Sequence, residues 1–231
     1  MRIFALADLH LAGSVDKPMD VFGPKWERHA ERIAVNWRDR VGPEDWVLVP
    51  GDISWAMTLE EAAADLAYLH DLPGRKVLLK GNHDYWWGSR AKVEAALPPS
   101  LTLLQNDAVD LGGGTGVVGT RGWLPPGAPR ATEQDRKIHD REVLRLGLSL
   151  DHAKGRFDRL VAMLHFPPIY AGLGETAFVP LLRDAGVRVC LYGHLHGPDH
   201  RYAVEEERDG VRYVFVAADA VDFTPREIEV R

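Results

Sequence analysis

Lys76-Val77-Leu78-Leu79-Lys80-Gly81-Asn82-His83-Asp84 is the stretch on which the fold turns. A short apolar run breaks off into glycine, amide, imidazole and carboxylate. Runs of this length, closed by turn residues, suit strands buried on both faces. Working outward, the same layout recurs. Ile3–Ala7 precedes Asp8-Leu9-His10, Trp46–Val49 precedes Gly51-Asp52, Leu160–Leu164 precedes His165, and Arg188–Tyr192 precedes Gly193-His194-Leu195-His196. Segments of helical pattern lie at Trp26–Arg40, Leu59–His70 and Ser89–Leu97. In the second, Leu59, Ala62, Ala63, Leu66, Ala67 and Leu69 form a stripe, with Thr58 as N-cap and Glu61 at the capping-box position. Strand and helix alternating at this spacing read as βαβ units and an α/β fold.

The later half is less regular. Gly112-Gly113-Gly114 predicts a hairpin turn joining Ala108–Leu111 to Thr115–Gly119, and Gly122–Arg130, with Pro125, Pro126 and Pro129, predicts a loop. Helices are expected over Glu133–Leu150 and Glu175–Asp184, and late strands over Arg212–Ala217 and Ile228–Val230. No repeat, linker or composition break interrupts the 231 residues, so one domain over 1–231 is expected. At 45% hydrophobic and 27% charged residues, the composition is that of a globular chain and excludes disorder. A net charge of -6 argues against a nonspecific grip on nucleic acid. It leaves room for a small phosphate-bearing substrate, because bound cations reverse the local field. The lone Cys190 excludes an intramolecular disulfide and a thiolate zinc cluster, and reads as a buried strand residue. Met1–Ala7 reaches Asp8 too soon for a secretory signal, and no apolar stretch approaches the roughly 18 residues of a membrane span. A soluble cytoplasmic protein is expected.

Ligands of open α/β sheets bind beyond the carboxyl ends of the strands. Asp8, His10, Asp52, Asn82, His165, His194 and His196 all fall there and offer carboxylate, imidazole and amide-oxygen donors. They exceed what one ion takes, so two ions about 3.5–4 Å apart sharing a carboxylate are expected. Asp52, alone at its strand end beside Gly51, is best placed to be shared. Oxygen and imidazole donors without thiolate suit manganese, iron or zinc rather than Cu(I) or an iron–sulfur cluster, and four histidines argue against calcium. Each of these residues taken singly is also an ordinary turn or cap residue; their ordered recurrence favours a site. Tyr85, Trp86, Trp87, Trp123 and Tyr170 read as packing residues. His29, His70, His139, His152 and His200 match no motif and are expected at the surface, and Glu205–Asp209 reads as a solvated turn. Ser14, Ser54 and Ser89 lack the context of a serine nucleophile.

The ordered set D-x-H, G-D, G-N-H-D, a lone H and G-H-x-H, running from Asp8 to His196, resembles the calcineurin-like metallophosphoesterase family. Gly81–Trp87, Gly119–Trp123 and His165–Pro168 look like a bacterial branch of it whose substrate the motifs do not fix. The resemblance implies a β-sandwich of mixed sheets flanked by α-helices, a dinuclear metal centre, and hydrolysis of phosphomono- or phosphodiesters. It assigns Asp8, His10 and His196 to one ion and Asn82, His165 and His194 to the other, with Asp52 bridging. It also makes His83 a catalytic residue facing the substrate phosphate, with Asp84 holding the His83 ring. Arg121, the fixed positive charge of its glycine-rich loop, is a candidate substrate contact.

The expected chemistry is attack by a water or hydroxide bridging the two ions, which lower its pKa from about 15.7 towards neutrality. Manganese is the first expectation for the metal, with iron or zinc next. Small phosphate esters are the expected partners, with diesters such as nucleotides or cyclic nucleotides favoured because the compact chain lacks a domain for grasping a phosphoprotein. Neither stable nucleic-acid binding nor membrane attachment is expected. The alternatives are a phosphomonoesterase or phosphoprotein phosphatase, and a nuclease on long DNA, which the acidic composition opposes. A zinc amidohydrolase would need H-x-H where this chain has Asp8-Leu9-His10. A non-catalytic metal-binding scaffold would be expected to have lost a ligand, and every position is filled.

Overall fold

The computed structural model describes residues 1–129 and 131–231, so the last residue of the loop expected over Gly122–Arg130 lies outside them. The first half of the chain holds β1 (Ile3–Ala5), α1 (His29–Arg40), β2 (Trp46–Val49), α2 (Leu59–Asp71), β3 (Arg75–Leu79), α3 (Arg90–Ala96) and β4 (Leu101–Leu104). The second half holds β5 (Val109–Gly112), β6 (Thr115–Thr120), α4 (Glu133–Ala153), β7 (Arg159–Leu164), β8 (Ile169–Tyr170) and β9 (Gly174–Glu175). These are followed by α5 (Phe178–Asp184), β10 (Val187–Tyr192), β11 (Glu207–Arg208), β12 (Val211–Phe215) and β13 (Arg226–Glu227).

Two mixed sheets result, of order β13-β1-β2-β3-β4 and β11-β12-β10-β7-β6-β5. Each has four mutually parallel strands; the first adds one antiparallel strand at the β13 edge, and the second has antiparallel strands at both edges. The apolar runs explain why the sheets pack together. Successive side chains of a strand point to opposite faces. In β2, Trp46 and Leu48 face the core between the sheets, and Val47 and Val49 face the core under α1, α2 and α3. Ile3, Ala5 and Ala7 alternate with Phe4 and Leu6 in the same way. The inter-sheet core is completed by Val117, Val161, Met163, Val189, Leu191 and Val214, while α4 and α5 cover the outer face of the second sheet. Each fully buried Val or Leu here contributes about 1.5–3 kcal/mol.

At their carboxyl ends the two sheets are tied together. Ala7 N–H donates to Val216 O at 2.8 Å, and Ala218 N–H donates back to Ala7 O at 3.0 Å. The loop after β1 is tied to the loop after β2 by Asp8 N–H to Gly51 O and His10 N–H to Asp52 O, each 3.0 Å. The strand ends that carry the polar clusters therefore meet at one edge.

Several elements differ from expectation. The helix expected over Trp26–Arg40 begins at His29, because Arg28 takes a left-handed φ of 51° and Pro24–Trp26 forms a 3-10 turn before it. Glu175 joins β9 rather than a helix, which starts at Phe178 once Thr176 has bonded Pro168 O at 2.8 Å. The closing strand falls at Arg226–Glu227, and Ile228 N–H ends it on Ile3 O at 2.8 Å. Glu207–Arg208 pairs with β12 across the turn at Asp209-Gly210, within the segment expected to be a solvated turn. The capping box at Thr58 and Glu61 is present as expected.

Candidate metal centre

All seven expected ligands lie at the shared carboxyl edge. Asp8, His10, Asp52 and His165 are buried, and Asn82, His194 and His196 are half-buried. His10 Nε2 and His196 Nε2 face each other at 3.3 Å, and His196 Nε2 lies 3.7 Å from Asp8 Oδ1. On the other side, His165 Nε2 lies 2.7 Å from Asn82 Oδ1 and 3.4 Å from Asp52 Oδ2. Both carboxylates span the two halves. Asp52 Oδ2 is also 3.8 Å from His10 Nε2, and Asp8 Oδ1 is 3.8 Å from His165 Nδ1. Asp8, His10 and His196 form one compact donor group, and Asp8, Asp52 and His165 a second. The His194 ring lies 5.1 Å from that of His165 and stacks on Phe166 at 3.8 Å, while its backbone N–H holds Asp8 Oδ2 at 3.0 Å.

Partners outside the cluster set which ring nitrogen points in. His165 Nδ1 lies 3.0 Å from Pro50 O, so Nδ1 carries a proton and Nε2 is the nitrogen turned into the cluster. His196 Nδ1 meets Asp219 Oδ1 at 2.9 Å, with the same result. Asp219 is buried, and its second oxygen accepts from Gly197 N–H at 3.0 Å and lies 3.0 Å from His200 Nε2. Sequence reasoning missed Asp219. The signal was present, since it is a carboxylate just beyond the apolar run Arg212–Ala217, as Asp8 and Asp52 are beyond theirs.

The backbone is strained where the ligands sit. Asp8, His10, Asp52 and His194 take φ of 59°, 45°, 52° and 73°. This left-handed region costs a non-glycine residue about 1–3 kcal/mol, and such residues gather at functional sites. Close approach at the turns also requires glycine: a Cβ on Gly81 would collide with Asp52, and one on Gly193 with Asp8.

The pocket's electrostatics call for added positive charge. Burial pushes the Asp8 carboxyl up to about 7. Burial would raise Asp52 too, but the imidazoles of His165, His10 and His83 hold it below the usual range. His165, which burial alone would lower, is carried up to about 9 by Asp52 and Asp8, whereas burial takes His10 down to about 3. Buried carboxylates without a cation are costly. Metal bonds of about 2.0–2.2 Å put neighbouring donors roughly 3–3.5 Å apart, close to the spacings found here. The donor set fits divalent cations of the manganese, iron and zinc kind.

His83 stands beside the cluster, half-buried, with its ring 4.5 Å from Trp55 and 5.8 Å from His10. Its backbone N–H holds Asp52 Oδ1 at 2.8 Å, and its Nδ1 has no partner among the described residues. The expected bond from Asp84 to the His83 ring is not made. Asp84 Oδ1 accepts from Ile53 N–H at 2.9 Å, Ser54 N–H at 3.1 Å and Trp86 Nε1–H at 3.0 Å, and Oδ2 accepts from Gly81 N–H at 2.7 Å. With its lone pairs so occupied, this buried carboxylate clamps the loop after β2 to the loop after β3. Arg121 lies in an adjoining cavity, with Nη2 3.2 Å from Glu142 Oε1 and its guanidinium 4.4 Å over Trp123.

Trp86 and Trp87 are buried, as packing residues should be, and Tyr85 is exposed. Burial pushes the Cys190 thiol up, in keeping with an inert strand residue. Among the histidines expected at the surface, His70 and His152 are exposed. His139 is buried against Phe178, His29 is half-buried 3.1 Å from His10 O, and His200 is half-buried with Nε2 3.0 Å from Asp219. No helix among the described residues is long and apolar enough to cross a membrane.

Comparison with known proteins agrees with this geometry. The profile of the calcineurin-like phosphoesterases matches residues 1–198. The Gene 66 protein of Mycobacterium phage D29 is 39% identical over 233 residues, covering all of this chain and 94% of the phage protein. The crystal structure of phosphopantetheinyl hydrolase (PptH) from Mycobacterium tuberculosis superposes with a TM-score of 0.59 at 16% identity, over 98% of this chain and 95% of that one. That of TT1561 from Thermus thermophilus gives 0.57 at 14% identity, over 100% and 99%. These two likenesses establish the fold, and the profile, matching most of the sequence, establishes the lineage: the chain belongs to the calcineurin-like phosphoesterase family.

Proposed function

We propose that this chain hydrolyses small phosphate esters with two divalent cations held at the joined sheet edge, and that phosphodiesters are its better substrates. The observation that carries the reading is the inward-facing donor set, with Nε2 of His10, His165 and His196 around the carboxylates of Asp8 and Asp52. Asp8, His10 and His196 would hold one cation and Asn82, His165 and His194 the other, with Asp52 between them. Bound there, divalent cations supply charge neutralisation to the phosphoryl oxygens and an attacking water that ionises near neutrality. The chain's own residues do the rest. Pro50 O and Asp219 keep the protons of His165 and His196 on Nδ1. Asp84 holds the two loops that present Asp52 and Asn82. His83, whose Nδ1 beside the cluster has no partner among the described residues, faces the phosphate and stabilises its charge or protonates the leaving oxygen.

Manganese is the cation we put first, iron or zinc next. The reaction is assigned to the cytoplasm, without nucleic-acid or membrane partners. The name of the M. tuberculosis relative, a phosphopantetheinyl hydrolase, is in keeping with a small-molecule ester. The test is to strip the protein with EDTA, reload it with manganese, count ions per chain, and assay bis- and mono-p-nitrophenyl phosphate. Two ions per chain, activity only when loaded, and faster diester turnover are expected. Monoester turnover far above diester turnover would reassign the chain as a phosphomonoesterase, and activity indifferent to EDTA would end the metal reading.

A further inference from the structure

Next to the metal centre, and lined by none of its ligands, is a separate cavity of about 250 Å³. It opens between the carboxyl ends of β3 and β4 in one sheet and β6 in the other, with α4 as its outer wall. Its ionised lining is Lys80, Arg121, Arg141, Arg145 and Glu142. Four cations face one carboxylate, which leaves three positive charges in a chain whose net charge is -6. That carboxylate is already shared. Glu142 is buried, with Oε2 on Thr120 Oγ1 at 2.6 Å, and Oε1 2.8 Å from Arg145, 3.2 Å from Arg121 and 4.0 Å from Arg141. Among the described residues, Lys80 Nζ bonds only a neutral acceptor, Trp87 O at 3.1 Å. Arg121 Nε is buried and has no partner among the described residues. Like charges gathered this way repel one another unless an anion joins them, and guanidiniums in a rigid wall suit the oxygens of a phosphate.

The cavity and the metal centre share two strand ends. Lys80 stands two residues before Asn82, so their Cα atoms are at most about 7.6 Å apart. Arg121 O accepts His165 N–H at 3.0 Å. We propose that this cavity is an anion subsite that takes a second phosphate of the substrate while the ester to be cleaved lies at the metal centre. The substrate class is then a phosphate ester that carries another phosphoryl group. This rests on the phosphoesterase reading for the word substrate, but not for the anion site itself.

Two measurements separate these parts. In the first, pyrophosphate is titrated calorimetrically into EDTA-stripped protein, wild type and Arg145→Gln, with an Arg141→Gln variant in parallel because both arginines are partly exposed and their loss spares the buried Thr120–Glu142 pair. Binding to the wild type, weakened about tenfold in Arg145→Gln with melting temperature retained, is the expected result. No binding, or binding that neither substitution weakens, overturns the site. In the second, the manganese-loaded enzyme is given thymidine 5′-(p-nitrophenyl phosphate) with and without a 3′-phosphate. The 3′-phosphate should lower KM about tenfold in the wild type, with little change in kcat, and Arg145→Gln should erase that difference. Pyrophosphate binding that depends on Arg145 without any KM preference would overturn the substrate assignment and give the cavity to free phosphate. Turnover of neither ester, with that binding intact, would instead sink the phosphoesterase reading and uphold the anion site.

Discussion

Asp219 shows how much one unmarked side chain contributes to the centre. It takes the Nδ1 proton of His196, so that the ligand nitrogen faces inward. Asp219→Ala should weaken manganese binding about 10–100-fold with the fold retained; calorimetric titration of metal-free protein checks it, and unchanged affinity would make Asp219 a bystander. His83 calls for the opposite outcome. Its Nδ1 has no partner among the described residues, and its backbone N–H rather than its ring holds Asp52, so His83→Ala should lower kcat by about 10²–10⁴-fold while ions per chain stay constant. Loss of metal in that variant would make His83 a ligand instead. At this scale the seven donors could be read from sequence because each directly follows an apolar run or sits within four residues of one. The run before Asp219 was also legible, but the ordered series from D-x-H to G-H-x-H closes at His196, before it. The partners of Asp84 could not be read at all. Which way a carboxylate turns inside a tight loop depends on where four amide and indole donors come to rest, and only the folded loops decide that.

Among the elements, the helices and the strands apolar on both faces were legible, and β4 and the two-residue strands were not. β1, β2, β3, β7 and β10 are apolar on both faces, a pattern that tertiary packing rewards and sequence displays. β4, β8, β9 and β11 went unread: the last three are two residues each, too few positions to show a period, and β4 is interrupted by the exposed, polar Thr102. The start of α1 was misjudged because its apolar pattern continues back through Trp26 while the backbone breaks at Arg28. The turns that follow the strands are the elements with least tolerance. Gly193 lets the turn after β10 lie against Asp8, and a methyl group there meets that carboxylate and the Ala7 side chain. Gly193→Ala should therefore cost about 1–3 kcal/mol of stability by overpacking. It should also displace Asp8 and lower metal content. Denaturant melts and metal analysis of the same preparation check both, and a variant that keeps wild-type metal content would show that the turn can shift without moving its ligand.

Across the whole molecule, two sheets joined at Ala7 and Ala217 concentrate buried charge at one edge, and that edge should govern how stability depends on pH. Without cations the folded pocket keeps protons in their place. Burial raises Asp8 from 3.8 to about 7, and Asp52 and Asp8, outweighing burial, raise His165 from 6.5 to about 9. Each group thus stays protonated in the folded chain over a range where the unfolded chain has released its proton. Their contribution is whole below the unfolded values and declines as pH rises through about 7 for Asp8 and about 9 for His165. His10 runs the other way: burial lowers it from 6.5 to about 3, so falling pH below 6.5 favours the unfolded chain, which accepts the proton that the folded chain refuses. The stripped protein should therefore lose stability from pH 6.5 towards pH 9. Cations require the same groups without their protons, so binding releases protons and tightens over that range. The gap in Tm between manganese-loaded and EDTA-treated protein should widen steadily from pH 6.5 to 9, read by thermal melts at matched ionic strength. A gap that stays constant or narrows would mean that Asp8 and His165 do not exchange protons for metal, and the cluster would then be held by its own hydrogen bonds rather than built around ions.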